Sequence, residues 1–203
     1  MHHGRTDYRV MDSLGLKAVD GKALSEEHRA ALRPGEAVTL ADGTVHHLPR
    51  FFYEIESWAA AHEVRLTSHF RLWELMLVDC READVLLRKF PHYVPCGITV
   101  LARFLEALRT EAGAPVFVSA NGGYRSPAHR FSKVGSMHQW GTAADVYRIG
   151  DTYLDNEKAI DRYARMATSL GGDVFVRPYQ PGDDHLHVDL GFVSIVPRQF
   201  SEL

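Results

Sequence analysis

Two cysteines, Cys80 and Cys96, are all that the 203 residues contain. Two cannot build a disulfide framework, a single bridge stays open, and no Cys-x-x-Cys pair exists. A zinc site made of three or four thiolates is excluded by count. A two-cysteine, two-histidine finger is disfavoured because its cysteines should lie close together in sequence. Free cysteine packs as a small hydrophobe, so two buried or half-buried thiols are expected. No apolar run approaches the roughly 20 residues that span a bilayer. Neither charge sign dominates: 23 Lys and Arg stand against 26 Asp and Glu, interspersed, for a net charge of −3. Without a basic stripe, nucleic acid is not an expected partner. The His-Glu-x-x-His helix of common metallopeptidases is missing, as are repeats and low-complexity segments.

What remains is ordinary globular composition, 45% hydrophobic and 24% charged, at a length that fits one domain with a core of its own. Met1 to Asp7 is polar with no apolar segment behind it, so no secretory signal is expected. The expected location is cytoplasmic, with periplasmic or lysis-released placement as the alternative.

Val38-Thr39-Leu40 and Val45 flank Asp42-Gly43, a hairpin signal. Phe51, Ile55 and Trp58 stand at i, i+4 and i+7, which predicts a helix over 51–62. Leu72 to Phe90 reads as irregular or helical. The clearest helix follows Pro95, over 96–111, with Ile98, Leu101, Leu105 and Leu108 on one face and Gly113 closing it. Val116-Phe117-Val118 reads as a buried strand. Residues 121–142 form a long Gly-, Ser- and Asn-rich loop, the kind that is often functional, in which His129 reads as exposed. Ala143 to Tyr147 is a second strand. A helix capped by Asp155 or Asn156 carries Ile160, Tyr163, Ala167 and Leu170. Strands at Val174 to Val176 and His185 to Leu190 complete the chain. Together these predict an α+β fold, a small antiparallel sheet flanked by helices.

Twelve histidines are the unusual feature. In His185-Leu186-His187-Val188-Asp189, alternation puts His185, His187 and Asp189 on one strand face. Two imidazoles there fit a metal site; a solvated, pH-titrating stripe is the plainer alternative. In Ser136 to Asp145, a His and an Asp lie seven apart across a bend at Gly141, with the small Ala143 and Ala144 allowing close strand packing. Zinc accepts His nitrogen and Asp oxygen, and catalytic sites use three protein ligands plus water. His138, Asp145 and His187 would supply that set.

Ser136-x-His138-x-x-Gly141-x-Ala143-x-Asp145, the late His185-x-His187 and Gly123-Tyr124-Arg125-Ser126-Pro127 resemble, in order, the motifs of the zinc D-alanyl-D-alanine carboxypeptidase and dipeptidase family, whose fold hedgehog signalling domains share. The resemblance covers about residues 95–191. It implies residues 1–62 as an N-terminal extension or subdomain, 63–203 as a zinc peptidase domain, and Zn2+ held by His138, Asp145 and His187. It implies small D-amino-acid-containing peptides or peptidoglycan stem peptides as substrates. Asp184, three before the last ligand, resembles the general base. His185 resembles a histidine that binds substrate or stabilises an oxyanion. Arg125 resembles the arginine that polarises the scissile carbonyl or holds a carboxylate.

An offset of three is odd, so Asp184 serves as the base only if the chain bends or the strand starts later. Asp183 and Asp189 are the fallbacks, and a solvated turn is the plain reading of Asp183-Asp184. Arg125 could be a loop arginine bonded to carbonyls, and Ser136 a loop brace rather than a substrate contact. Trp140 and Tyr147 are candidates for the cleft wall or for plain packing. A non-catalytic zinc-containing binding module on the same fold is the competing reading.

Overall fold

The computed structural model describes residues 14–79, 81, 82 and 91–201. Cys80 and residues 83–90 of the Leu72 to Phe90 stretch lie outside them. The described chain is α+β. Its strands are β1 (Lys17–Asp20), β2 (Ala37–Thr39), β3 (Val45–His47), β4 (Phe51–Glu54), β5 (Tyr93–Pro95), β6 (Val116–Val118), β7 (Ala143–Ile149), β8 (Thr152–Tyr153), β9 (Phe175–Val176) and β10 (Leu186–Asp189). The α-helices among the described residues are α1 (Glu26–Leu32), α2 (Trp58–Glu63), α3 (Leu72–Met76), α4 (Ile98–Ala112) and α5 (Glu157–Ser169). None of the helices among the described residues is long and apolar enough to cross a membrane.

All pairing is antiparallel. β2 and β3 form the hairpin expected around Asp42-Gly43. β4 lies between β1 and β5. The largest sheet runs β6-β7-β10-β9, with β8 folded back on β7. β7 is the longest strand at seven residues, and it carries both β6 and β10.

The helix predicted over 51–62 is corrected. Phe51 to Glu54 is strand, and only Trp58 to Glu63 is helical, started by Ser57, whose hydroxyl accepts the Ala60 N–H at 3.1 Å. The i, i+4, i+7 spacing was coincidental. Phe51, Phe52 and Tyr53 are buried in succession because β4 is the central strand of its sheet, covered on both faces. Aromatic residues favour such a packed, pleated setting.

α4 follows its pattern. Ile98, Leu101, Leu105 and Leu108 are fully buried, and the helix ends at Gly113. Each such side chain contributes roughly 1.5–3 kcal/mol by leaving water. α5 is capped by Asn156, whose Oδ1 accepts the Ala159 N–H at 3.1 Å, and buries Ile160, Tyr163 and Ala167.

One cluster joins Phe51, Tyr53 and Ile55 to the α4 leucines and to Val146, Leu186 and Val188 of the large sheet. β5 pairs with β4 across the division expected at residue 62. A second, small cluster holds Val38, Leu48 and Trp140, with Leu40 and Phe192 against it, and seats the β2–β3 hairpin.

Cys96 is a free thiol, 1% exposed. Burial pushes its pKa up to about 12. Native protein at pH 8 should therefore resist iodoacetamide at Cys96, with peptide mapping showing alkylation on the order of 100-fold slower than in denaturant. Equal labelling in both conditions would contradict this packing.

Candidate metal centre

β7 and β10 are registered so that His187 lies directly opposite Asp145, Val188 opposite Ala144 and Asp189 opposite Ala143. Alternation then sorts the side chains. Leu186 and Val188 enter the core, while His187 and Asp189 share the other face with Asp145. His138 arrives separately, on a short 3-10 turn, Met137–Trp140. Gly141 ends that turn at φ 69°, a left-handed conformation that side chains other than glycine's rarely adopt. The chain thereby turns sharply into β7. One ligand-type atom from each of His138, Asp145 and His187 lies within 4.8 Å of the others. The structure thus brings together the three residues read from the sequence.

The ring of His138 is 2% exposed and is fixed from behind. Its Nδ1 is 2.7 Å from the carbonyl of Gly123, which can only accept, so Nδ1 carries the proton. Nε2 is then a bare lone pair. It is buried, has no hydrogen-bond partner, and faces Asp145 Oδ1 at 3.3 Å. Burial holds the His138 pKa below the ordinary histidine value, in spite of Asp145. Burial alone would raise the Asp145 carboxyl, but the hydrogen bond from His187 and the charge of Arg125 hold it well below the carboxylate range. A neutral imidazole lone pair against an ionised oxygen in a dry setting repels unless a cation lies between them. That orphaned Nε2 is the feature that fits a metal ion to this set of residues.

His187 Nδ1 is 2.7 Å from the same Oδ1, and its Nε2 is 3.3 Å from Asp189 Oδ2. Burial lowers the His187 pKa, but the two carboxylates outweigh it and raise the value to about 9. Asp145 Oδ2 is taken by Arg125, whose Nη2 donates at 3.1 Å. Asp145 therefore offers one oxygen, Oδ1, to the cluster. Two imidazole nitrogens and one carboxylate oxygen are a donor set suited to a divalent transition metal.

His185 comes just before β10. Its Nε2 is 3.6 Å from Asp145 Oδ1, and its Nδ1 is 2.7 Å from Asp184 Oδ1. The side chain of Asp184 is 86% exposed. Because the strand begins at Leu186, Asp184 sits in the preceding turn and meets the cluster through His185. Asp183 is held away from the cluster, accepting from Arg177 Nη2 and the Gln180 N–H, both at 2.8 Å.

Of the two readings open for Trp140, cleft wall or packing, the structure shows packing: it is 1% exposed, and its indole donates to the His47 carbonyl at 3.1 Å, which anchors the β2–β3 hairpin. Tyr147 is half-buried on the Asp145 face of β7, beside the rings of Phe117 and Tyr153. Ser136 is half-buried before the His138 turn, and its hydroxyl does not cap that turn. Arg125 is bonded to a carboxylate of the cluster, not to loop carbonyls.

The loop behind the site carries roles the sequence did not single out. Asp145 N–H donates to the Gly122 carbonyl at 2.7 Å, and Arg125 N–H donates to the His138 carbonyl at 3.1 Å. Gly123 lies so close to α3 that a Cβ would come within 2.1 Å of the Leu75 carbonyl oxygen. Asn121, at φ 58°, accepts from the Asp79 N–H at 2.7 Å and from His129 Nε2 at 3.1 Å. His129 is 4% exposed, not exposed as its loop position suggested, and its Nδ1 accepts the Phe131 N–H at 3.1 Å. Burial, then Arg125 and His138, lower its pKa to about 4. Asparagine's tolerance of left-handed backbone and its side-chain oxygen were the available signal at 121.

Purified protein should bind about one equivalent of a divalent transition metal, read by elemental analysis and chelator competition. His138→Ala should weaken binding beyond the about 10–100-fold that losing an outer hydrogen-bond partner costs. Affinity unchanged in this variant would rule the site out. A second expectation concerns His129, whose folded pKa lies below the ordinary 6.5. Between 6.5 and about 4 the unfolded chain takes up a proton that the folded one refuses. Its contribution to stability is therefore complete above pH 6.5 and fades as pH falls through that window. Urea midpoints should drop from pH 6.5 to pH 5 more steeply in the unmutated protein than in His129→Gln, which keeps the donor to Asn121. Parallel slopes would refute the assignment.

No protein-family model matches the chain, and no curated protein or solved structure matches it at a significant level, so the metal reading stands on the geometry of its own residues.

Proposed function

We propose that this chain is a zinc-dependent peptidase of the D-alanyl-D-alanine carboxypeptidase and dipeptidase type, on a hedgehog-like fold, hydrolysing small D-amino-acid-containing or peptidoglycan stem peptides. The observation that carries the proposal is the bare, buried Nε2 of His138 facing Asp145 Oδ1, with His187 Nδ1 on the same oxygen. The substrate class rests on the resemblance of residues 123–127, 136–145 and 185–187 to that family's motifs. His138, Asp145 and His187 would hold the zinc, which when bound acts as a Lewis acid that makes water a nucleophile at neutral pH.

The remaining residues divide the proton and charge work. His185 presents Nε2 towards the cluster, and its Nδ1–H is directed at Asp184. A donor, Arg177 Nη2, lies 3.5 Å from that Nε2, consistent with a lone pair there. His185 is thus the group in reach of a water's proton, and Asp184 orients it, a division that differs from Asp184 acting directly. Arg125 holds the outer oxygen of Asp145 and leaves the inner one for the ion. Arg177, about a third exposed and paired with Asp183, brings a cation beside His185.

The test is mass spectrometry of D-alanyl-D-alanine and defined stem peptides incubated with zinc-loaded protein. Cleavage abolished by chelation is expected. His185→Ala should lower the rate about 10²–10⁴-fold with zinc retained, the range for losing a general base. Asp184→Asn should cost less. Zinc-loaded protein that cleaves no member of the panel would favour the binding-module reading, and a larger loss in Asp184→Asn than in His185→Ala would return the base role to Asp184.

A further inference from the structure

Asp189 is 3% exposed, yet it is an acid on the site face of β10. Its Oδ1 accepts the Gly191 N–H at 3.0 Å, and its Oδ2 lies 3.3 Å from His187 Nε2. Across the sheet stands Ala143, whose small side chain leaves room for the carboxylate beside the imidazole. The turn that follows is pinned, since Leu190 N–H donates to the Thr142 carbonyl and Thr142 Oγ1 donates to the Gly191 carbonyl at 2.7 Å. Asp189 is therefore held in place by backbone on one oxygen and offers the other to His187.

A neutral imidazole carries one proton and has two choices of nitrogen. At His138 the choice falls to the Gly123 carbonyl, which keeps the proton on Nδ1 and leaves Nε2 for the cluster. At His187 the geometry is reversed. Nδ1 faces Asp145, and Nε2 faces the Asp189 carboxyl oxygen that the Gly191 N–H leaves free to accept. We propose that Asp189 is a positioning residue for the metal: by holding the proton on His187 Nε2, it makes Nδ1 the ligand atom and locks the ring. The proposal rests on the metal reading of His138, Asp145 and His187. A carboxylate behind a ligating histidine also strengthens the ring as a donor, more than a neutral carbonyl does.

Asp189→Asn separates this role from a structural one. The asparagine oxygen can still accept the Gly191 N–H, which keeps the turn. Its amide then faces His187 Nε2 as a donor, and the proton moves to Nδ1, where the ion should sit. This is the logic by which a triad aspartate changed to asparagine leaves geometry intact but fixes the wrong tautomer. Zinc affinity, from competition with a chromophoric chelator, should fall about 10–100-fold in Asp189→Asn, with the far-UV circular dichroism of the zinc-free protein unchanged. Long-range proton–nitrogen correlation spectra of the unmutated, zinc-loaded protein, which need no variant, should give a protonated Nε2 and a metal-bound Nδ1 for His187, and the opposite for His138. Zinc affinity within twofold of the unmutated protein, or a metal-bound Nε2 at His187, would overturn the role of Asp189 while leaving the metal site standing. Failure of the unmutated protein to take up zinc would overturn both.

Discussion

The inner oxygen of Asp145 is the point on which the site depends. Three imidazole nitrogens, from His138, His185 and His187, lie between 2.7 and 3.6 Å of it. A buried carboxylate is stable only when charge or hydrogen bonds compensate it. Here Arg125 takes the outer oxygen and His187 the inner one, while the lone pair of His138 stands opposite and adds no compensation. The same arrangement sets the backbone around it, because Asp145 is also bonded through its main chain to Ser119 and Gly122. Strand β7 is therefore both the centre of the large sheet and the carrier of the site's central charge.

Two kinds of support keep the imidazoles in place. Backbone carbonyl holds His138, and carboxylates hold His185 and His187. The difference has consequences. The Gly123 carbonyl behind His138 is part of a loop packed against α3, with no room for a side chain. Asp184 lies in an exposed turn, so His185 stands on a softer support.

Much of this was legible from one dimension. The α4 stripe, the Asp42-Gly43 hairpin and the β10 alternation are periodic signals, and periodicity survives without tertiary information. His138, Asp145 and His187 could be picked out because metal chemistry restricts the residue types and because the motifs around them resemble, in order, those of a zinc peptidase family. The stretch 51–62 could not be read correctly. Its apolar spacing fits a helix as well as a central strand, and only the flanking β1 and β5, the latter some 40 residues away, decide between them. His129 was misplaced, and the choice left open for Trp140 between cleft wall and packing could not be made, for a related reason. Each lies in a loop-like sequence, and burial of a loop residue depends on what packs over it, here the β2–β3 hairpin and the Asn121 turn.

By itself the sequence determined which side chains could bind an ion and which strand face carries them, because residue chemistry and a period of two are local properties. Tertiary structure alone decided which nitrogen of each histidine faces the centre, that Arg125 is bonded to Asp145, that Asp184 meets the cluster only through its contact with His185, and that Asp189 stands behind His187. Those are matters of hydrogen-bond partnership between residues distant along the chain or on either side of a strand's first residue, and they are fixed only once β7, β10 and the residue 119–141 loop have closed around one buried charge.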